Sequence, residues 1–370
     1  MLRVKGSKGL LVREGRALTS PERATLACGE LVHVVETRAT VLGDARCRLA
    51  SGGWCSRKLL EPAEGAEAPP ATPPGGVPAG AGAAVDGAHG DAQVDDCACF
   101  EGLVVSGGWD GAVRVADGDA VETLRHETRA WVYSVDAFRD ARGALAIISG
   151  HTGGMTGDSE SNLRLWRVAG RGAKRRWEAA CLGGHTRGCH AVCGGGGRAC
   201  SASSDLLQLW AVGDDVTSTA SVAKPSGGDV NALLLDGDAL VSGSTHPSLK
   251  LWDLATLACA RAEDGMGPVE AVARWDRDVY AVASHTGCFL WDTRASMARV
   301  SERAHVCWGA AVARGLVCYG GAGDGLVFHD VAAGKPRETK DAGFLVKCVG
   351  FDASSCVCGS GAGTLHVWAS

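Results

Sequence analysis

A repeat of about 40 residues constrains this chain more than any other feature of its sequence. Short apolar runs end in a tryptophan at five places, Trp166, Trp210, Trp252, Trp291 and Trp368. Two further segments of the same form place Ala116 and His329 in this Trp slot, and the seven slots are separated by 50, 44, 42, 39, 38 and 39 residues. A regular period of this length indicates a repeat architecture.

Each unit contains the same succession of short strands. An alternating strand such as residues 230–235 (VNALLL) is followed by a strand of small residues such as 240–244 (LVSGS), and a third strand ends in the Trp slot. Period-two alternation is typical of strands that pack one side against a neighbouring sheet. A single four-stranded sheet cannot bury both faces, so the repeat predicts an all-β fold, a seven-bladed β-propeller in which each Trp covers the flank of an adjacent blade.

The units resemble the WD repeats of β-propeller proteins over about residues 89–370. The motifs that carry the resemblance are the GGH that ends at His185, the turn residue Asp110, and the closing pairs Trp252-Asp253 and Trp291-Asp292. The resemblance implies that His, Ser or Thr, Asp and Trp side chains form a hydrogen-bonded structural network in each blade and are not a catalytic set.

Several units depart from the WD pattern. His126 and His305 fill positions similar to that of His185, whereas units four, five and seven lack the leading His. His246 and His285 stand where Asp is usual. These departures predict incomplete networks in several blades, whose stability then depends more on apolar packing.

The segment before the repeats bears on how the ring closes. Residues 63–88 are rich in Pro, Ala and Gly, and they predict a flexible linker. The family often uses such a preceding segment as the outer strand of the last blade, and residues 77–88 are the candidates here. They are poor strand formers, so either they pair weakly or the seventh blade keeps an exposed edge.

Residues 1–62 do not follow the repeat. The stretches Val12-Arg13-Glu14-Gly15, Gly29-Glu30 and Gly53-Trp54-Cys55-Ser56 resemble a bacterial-type Src-homology-3-like (SH3-like) domain. The resemblance implies a small β-barrel that binds peptides or glycans, or that attaches one module to another. Trp54 is either a ligand platform or a core residue that closes the barrel.

Composition narrows the classes of partner. The net charge of −5 argues against a general nucleic-acid binder, and no run approaches the ~18 apolar residues of a membrane span. Without a signal-peptide pattern, the 16 cysteines predict a reducing, cytoplasmic location in which most are buried apolar residues. Cys189, His190 and Cys193 resemble half of a zinc site, but packing is favoured, and no metal or cofactor is predicted.

The leading functional prediction is a non-enzymatic scaffold or adaptor that binds protein or peptide partners, within an assembly such as a ubiquitin ligase or a signalling complex. No phosphate loop, nucleophile elbow or metalloprotease motif is present in the sequence. Two alternatives remain, an enzyme with its site in the propeller channel and a peptide- or glycan-binding protein that acts through residues 1–62.

The resemblance implies that loops at one face of the propeller bind the partner, where exposed aromatic and Arg side chains are hot-spot candidates. The candidate partner-binding residues are Trp109, Arg129, Trp131, Arg187 and Trp308, together with Trp54 in the N-terminal region. Trp131 and Trp308 have an alternative role, which is packing inside the ring.

Overall fold

A computed structural model describes the protein in two compact units, residues 1–73 and 74–370. In the first unit, and up to residue 87, it describes the backbone of the strands. From residue 88 onward it describes backbone and side chains, except for residues 119, 126–129, 153–161, 170–175, 247, 296, 302–305, 323–324, 343, 353–354 and 370 and the side chains of residues 248 and 369.

The first unit contains two antiparallel sheets. The strands are β1 (Leu2–Val4), β2 (Leu10–Arg13), β3 (Glu22–Leu26), β4 (Leu31–Val32), β5 (Val34–Ala39), β6 (Ala45–Leu49), β7 (Trp54–Ser56) and β8 (Leu60–Pro62). Their order is β4-β1-β8 in one sheet and β3-β2-β7-β6-β5 in the other. The connections between these strands lie outside the described residues, so the SH3-like assignment stays a prediction.

The second unit is a seven-bladed β-propeller of four-stranded antiparallel sheets. Blades one to three comprise β10 (Val94–Phe100), β11 (Leu103–Gly108), β12 (Ala112–Asp117), β13 (Ala120–Arg125), β14 (Val132–Arg139), β15 (Leu145–His151), β16 (Leu163–Ala169), β17 (Arg176–Cys181), β18 (Ala191–Gly195), β19 (Arg198–Ala202), β20 (Leu206–Val212) and β21 (Val216–Ala223). Blades four to six comprise β22 (Val230–Asp236), β23 (Ala239–Ser244), β24 (Ser248–Asp253), β25 (Cys259–Asp264), β26 (Val269–Asp276), β27 (Val279–Ser284), β28 (Gly287–Asp292), β29 (Met297–Arg299), β30 (Cys307–Ala313), β31 (Leu316–Gly321), β32 (Leu326–Asp330) and β33 (Lys335–Lys340). The seventh blade comprises β34 (Val346–Phe351), β35 (Ser355–Ser360), β36 (Leu365–Ala369) and a strand from before the repeats, β9 (Ala83–Val85).

Strand β9 closes the ring. Val85 pairs with Leu365, Ala84 with His366 and Ala83 with Val367, in antiparallel register. The first strands of successive blades contact one another around the centre, and β34 contacts β10. The sequence predicted a linker over residues 63–88 and left two alternatives, a weak pairing of residues 77–88 with the last blade or an exposed edge. The structure shows the pairing, through three of those residues. The free edge of the last blade offers backbone N–H and C=O groups that need partners, and the backbone of these residues supplies them despite the low strand propensity of the segment.

The seven Trp slots occupy one register position. Each slot residue pairs with the second residue of the preceding strand in six blades, as Trp252 does with Leu240 and His329 with Val317. The five tryptophans are at most 5 % exposed. Trp166, Trp210, Trp252, Trp291 and Trp368 each share a core cluster with residues of the preceding blade. The structure therefore confirms the predicted repeat and its plugging tryptophans.

Glycine in the second strand of five blades permits the close approach of the next blade. A Cβ on Gly107 would lie 2.5 Å from a methyl of Val132, and one on Gly320 would lie 2.6 Å from a methyl of Val346. The equivalent glycines are Gly150, Gly243 and Gly359, each facing the start of the following blade. Small residues thus set the spacing between sheets.

The hydrogen-bonded networks differ from blade to blade. In blade three, His185 bonds to Ser201 at 2.7 Å and to Ser203 at 3.0 Å, and the Trp210 indole donates to Ser201 at 3.0 Å. Blade one has a buried His that the sequence analysis overlooked, His89, which contacts Asp110 at 2.7 Å. His126 and His305 lie outside the described residues.

Blade five has lost the acceptor for its indole. In blades two, three and four the Trp Nε1 donates to a serine of the second strand, Ser149, Ser201 or Ser242, at 2.8–3.0 Å. Register places Val282 at the equivalent position of blade five, where the buried Trp291 Nε1 has no hydrogen-bond partner among the described residues.

Val282→Thr is expected to keep or raise the stability of the protein, because its hydroxyl supplies the missing acceptor while one methyl remains. A buried unsatisfied donor costs about 1–3 kcal/mol, which offsets the loss of apolar surface. The matched control is Val241→Thr, at another fully buried valine of the same core cluster, where a loss of about 1–2 kcal/mol is expected. Urea unfolding of both variants measures the difference, and equal losses would contradict the assignment.

Candidate binding face at one mouth of the channel

A channel of about 690 Å³ runs through the propeller, lined by the first strands of all seven blades. One residue near the start of each first strand lines the channel, and these define the mouth ring: Asp95, Tyr133, His190, Asn231, Glu270, Trp308 and Lys347. In six blades this residue lies in a β-bulge, directly after the buried residue that begins the strand. In blade three, His190 immediately precedes β18. Bulges are suited to redirecting a side chain out of a sheet.

The mouth ring combines seven different side chains at seven equivalent positions. The backbone around them repeats, and the buried residue before each of them is Val or Cys in every blade. A purely structural position would be expected to repeat its side chain as the Trp slot does. The ring is therefore the part of the propeller where the blades differ in chemistry.

Trp109 and Trp131 form an aromatic pair beside this ring. Their rings stack with centroids 4.4 Å apart and planes 8° from parallel, and both side chains are exposed, at 38 % and 39 %. Trp109 Nε1 donates to Asp95 Oδ2 at 2.5 Å, which ties the pair to the mouth ring. Burial raises the pKa of the Asp95 carboxyl, while the Gln93 and Trp109 donors oppose that rise.

Blades three to five contribute polar side chains. His190 lies edge-on to Tyr133, with ring centroids 4.6 Å apart, and its Nδ1 is 3.9 Å from Asp229 Oδ2. Burial lowers the pKa of His190. Glu270 accepts a hydrogen bond from Asn231 Nδ2 at 2.9 Å and lies 2.8 Å from His285 Nε2. His285, which replaces the usual Asp, is therefore part of this face.

Blades six and seven contribute an aromatic ring and a cation. The Lys347 ammonium lies 4.0 Å from the centroid of the Trp308 ring, a cation–π geometry that holds both side chains at the channel wall. Trp308 is half-buried. Leu345, two residues before Lys347, is 52 % exposed.

The predicted site residues are placed as follows. Trp109 and Trp131 are exposed and brought together, Trp308 lines the channel, and Arg187 is exposed while its carbonyl accepts a hydrogen bond from Asn162 Nδ2 at 2.8 Å. Arg129 and the side chain of Trp54 lie outside the described residues. Two roles were considered for Trp131 and Trp308, partner binding and packing inside the ring. The exposure of Trp131 fits partner binding, whereas Trp308 is half-buried at the channel wall.

Sequence reasoning missed most of the mouth ring, including Asp95, Tyr133 and Lys347. A signal was present, because the ring residue always follows a Val or Cys that begins an alternating strand, as in VDD, VYS, CHA, VNA, VEA, CWG and VKC. Aligning the units on that apolar residue exposes a column with no repeated side chain.

Two half-buried carboxyl groups line the channel farther along the first strands. Asp96 Oδ2 accepts hydrogen bonds from Ser134 Oγ and the Val135 amide, both at 2.9 Å. Asp136 Oδ2 accepts one from the Gly194 amide at 2.8 Å. Each carboxyl thus links its blade to the next. Burial raises the pKa of Asp96 to about 6 and that of Asp136 to about 7.

The cysteine motif does not form a ligand set. Cys189 is fully buried and its thiol donates to the Ala202 carbonyl at 3.5 Å, whereas His190 faces the channel and Cys193 packs in a core cluster with Cys200. Within the described part of the chain, no group of three or more His, Cys, Asp or Glu side chains is arranged to hold a metal ion. Most described cysteines are buried free thiols.

Among the described residues, no helix has the length and apolar character required to cross a membrane.

No protein-family model matches the chain, and no curated protein matches its sequence. In the comparison with solved structures, 1402 chains match this one. The crystal structure of the computationally designed Ika8 protein is similar with a TM-score of 0.51 and 17 % identity, and the match covers 76 % of this chain and 97 % of that one. At this identity the likeness shows the fold alone, and a fold of this kind does not select a function.

Proposed function

We propose that the protein is a non-enzymatic scaffold or adaptor that binds protein or peptide partners at the face formed by the mouth ring, Trp109 and Trp131. The observation that carries the proposal is the diversity of the mouth ring within an otherwise repeating framework. The exposed stacked pair supplies the apolar area that anchors an interface. Rigid blades preorganise these side chains, which lowers the entropy cost of binding.

The double variant Trp109→Ala/Trp131→Ala is expected to lose most partners in affinity purification with mass spectrometry. Hot-spot tryptophans contribute about 2 kcal/mol or more each, which corresponds to a loss of at least tenfold in affinity. The blade cores should remain intact, because both side chains are exposed.

Val121→Ala is the matched control for this experiment. Val121 is 52 % exposed on the outer strand β13, away from the channel lining. Its removal should leave the partner set as in the wild type. A double variant that retains every wild-type partner at unchanged abundance would count against the proposed face.

We infer that the propeller belongs among the WD-repeat proteins. The His185, Ser201, Ser203 and Trp210 network of blade three supports this assignment, as do the closing Trp-Asp pairs. Membership is consistent with a cytoplasmic role in a multiprotein assembly.

For residues 1–62 we propose an SH3-like module that gives a second, weaker contact with peptides or glycans. Two weak contacts joined by a linker strengthen binding through effective concentration. Peptide and glycan arrays probed with the full chain and with Trp54→Ala test this proposal, since a ligand-platform tryptophan should be needed for any signal from this module.

An enzyme with its site in the channel is the second candidate, and the raised pKa values of Asp96 and Asp136 favour it. The contacts of both carboxyls favour the scaffold instead, because their oxygens already accept backbone and hydroxyl donors across blade boundaries. Turnover of a small molecule by the wild type that is lost in Asp136→Asn would favour the enzyme.

A further inference from the structure

The mouth is chemically two-sided. Blades six, seven, one and two carry the apolar arc, which we define as Trp308, Leu345, Trp109, Trp131 and Tyr133. The charged ring residues Asp95 and Lys347 lie in the same blades, against Trp109 and Trp308 respectively. Three of the four exposed large apolar side chains among the described residues belong to the apolar arc. Blades three to five carry the acidic arc, which we define as His190, Asp229, Asn231, Glu270 and His285.

The described channel lining is negative overall. It carries five carboxyl groups, Asp95, Asp96, Asp136, Asp229 and Glu270, and two permanent cations, Arg274 and Lys347. Arg274 is paired with Asp236 at 2.8 Å. Lys347 lies over Trp308, on the apolar side. The channel walls have low polarisability compared with water, so the field of the lining carboxylates extends into the mouth.

Among the described residues, the polar neighbours of the acidic-arc carboxylates are the Asn231 amide and the imidazoles of His190 and His285, of which His285 lies 2.8 Å from Glu270. Asn231 donates to Glu270 without neutralising it. His190 is 3.9 Å from Asp229, and burial lowers the pKa of His190, which disfavours the charged form of its ring. Asp229 keeps a side chain that is 43 % exposed and therefore accessible to a ligand.

We propose that the partner presents a peptide segment with a Lys or Arg side chain directed at Asp229 and Glu270 and an adjacent apolar side chain packed on Trp109 and Trp131. This inference rests on the proposed binding function and specifies the chemistry of the ligand. A basic side chain meets the charge of the acidic arc, and an apolar neighbour covers the exposed indoles. An acidic segment would be repelled at the same place.

Selection of phage-displayed random heptapeptides on the full-length protein tests the proposal. The expected result is enrichment of sequences that contain Lys or Arg next to an aromatic or aliphatic residue. Synthetic peptides from the selection are then titrated by calorimetry against wild type, Asp229→Asn/Glu270→Gln and Trp109→Ala. The double charge variant should bind about tenfold or more weakly, and its remaining affinity should depend less on salt concentration.

Asp214→Asn/Asp238→Asn is the matched control, because it removes two highly exposed carboxylates outside the channel lining, at 90 % and 94 % exposure. It should bind within about twofold of wild type, as expected for well-screened charges. Selected peptides without a basic excess would overturn the inference. Peptides that lose affinity for Trp109→Ala but bind the charge variant as tightly as wild type would also overturn the inference, and the proposed binding face would stand. If no peptide is selected, or if neither the charge variant nor Trp109→Ala binds more weakly than wild type, both the inference and the proposed binding face fail.

Discussion

A variant that lacks residues 1–87 is expected to unfold at a melting temperature several degrees below that of a variant that lacks residues 1–73. The longer deletion removes β9 and leaves β36 as the unpaired edge of the seventh blade. Each backbone hydrogen bond contributes about 1 kcal/mol, so the loss of two or three corresponds to a few kcal/mol. The packing of Val367 and Ala88 at the junction of blades seven and one also weakens.

The two deletions differ by residues 74–87, so the comparison isolates the closing segment from the first unit. Differential scanning calorimetry gives the melting temperatures, and light scattering reports the self-association that an open edge strand promotes. The variant beginning at Pro74 should remain monodisperse, since it retains Ala83–Val85. Equal melting temperatures for both variants would show that the pairing of β9 with β36 does not stabilise the ring.

The architecture was predictable from the sequence because it repeats. Seven slots of the same kind, at Ala116 and His329 as well as at the tryptophans, gave the blade number, and the register places them at equivalent positions. Apolar alternation and small-residue runs identified the first and second strands of each unit. These signals are averaged over seven copies, so that the loss of one member does not hide the pattern.

The closing strand was not predictable in the same way. Ala83–Val85 has low strand propensity and follows a Pro- and Gly-rich stretch, so local sequence favours a linker. Its pairing is decided by the free edge of β36, nearly 300 residues away in the chain. His89 was overlooked for a related reason, since its partner Asp110 identifies it only once the blade is folded.

The candidate face was predictable in part. Trp109 and Trp131 follow from their place in exposed turns, but their stacking depends on the contact between two blades. Asp95, Tyr133 and Lys347 look like ordinary strand residues in isolation. They become neighbours of the same channel only because the ring brings the starts of seven first strands together.

Asp136→Asn is expected to gain stability relative to wild type as the pH rises from 5 to 8. Burial raises the folded-state pKa of Asp136 to about 7 from an ordinary value of 3.8. The folded protein therefore holds a proton that the unfolded chain releases, and the stability that this proton confers is present at low pH and lost as the pH rises through about 7. Linkage over this interval gives a change of roughly 2–3 kcal/mol in the difference between the variants. Asn cannot ionise, so the variant lacks this loss.

Asp140→Asn is the control that separates this effect from a general one of removing a carboxylate. Hydrogen bonds from Arg142 and from the Ala144 amide outweigh desolvation at Asp140 and lower its pKa. The stabilisation that the ionised Asp140 carboxylate contributes is therefore complete above pH 5. The loss of unfolding free energy in Asp140→Asn should then be the same at pH 5 and pH 8. Urea unfolding at both pH values measures all three proteins, and changes in the buried histidines cancel in the differences. If the gap between Asp136→Asn and wild type is as flat with pH as that of the control, Asp136 is ionised in the folded protein throughout this range, and the carboxyl that joins blades two and three carries its charge at neutral pH.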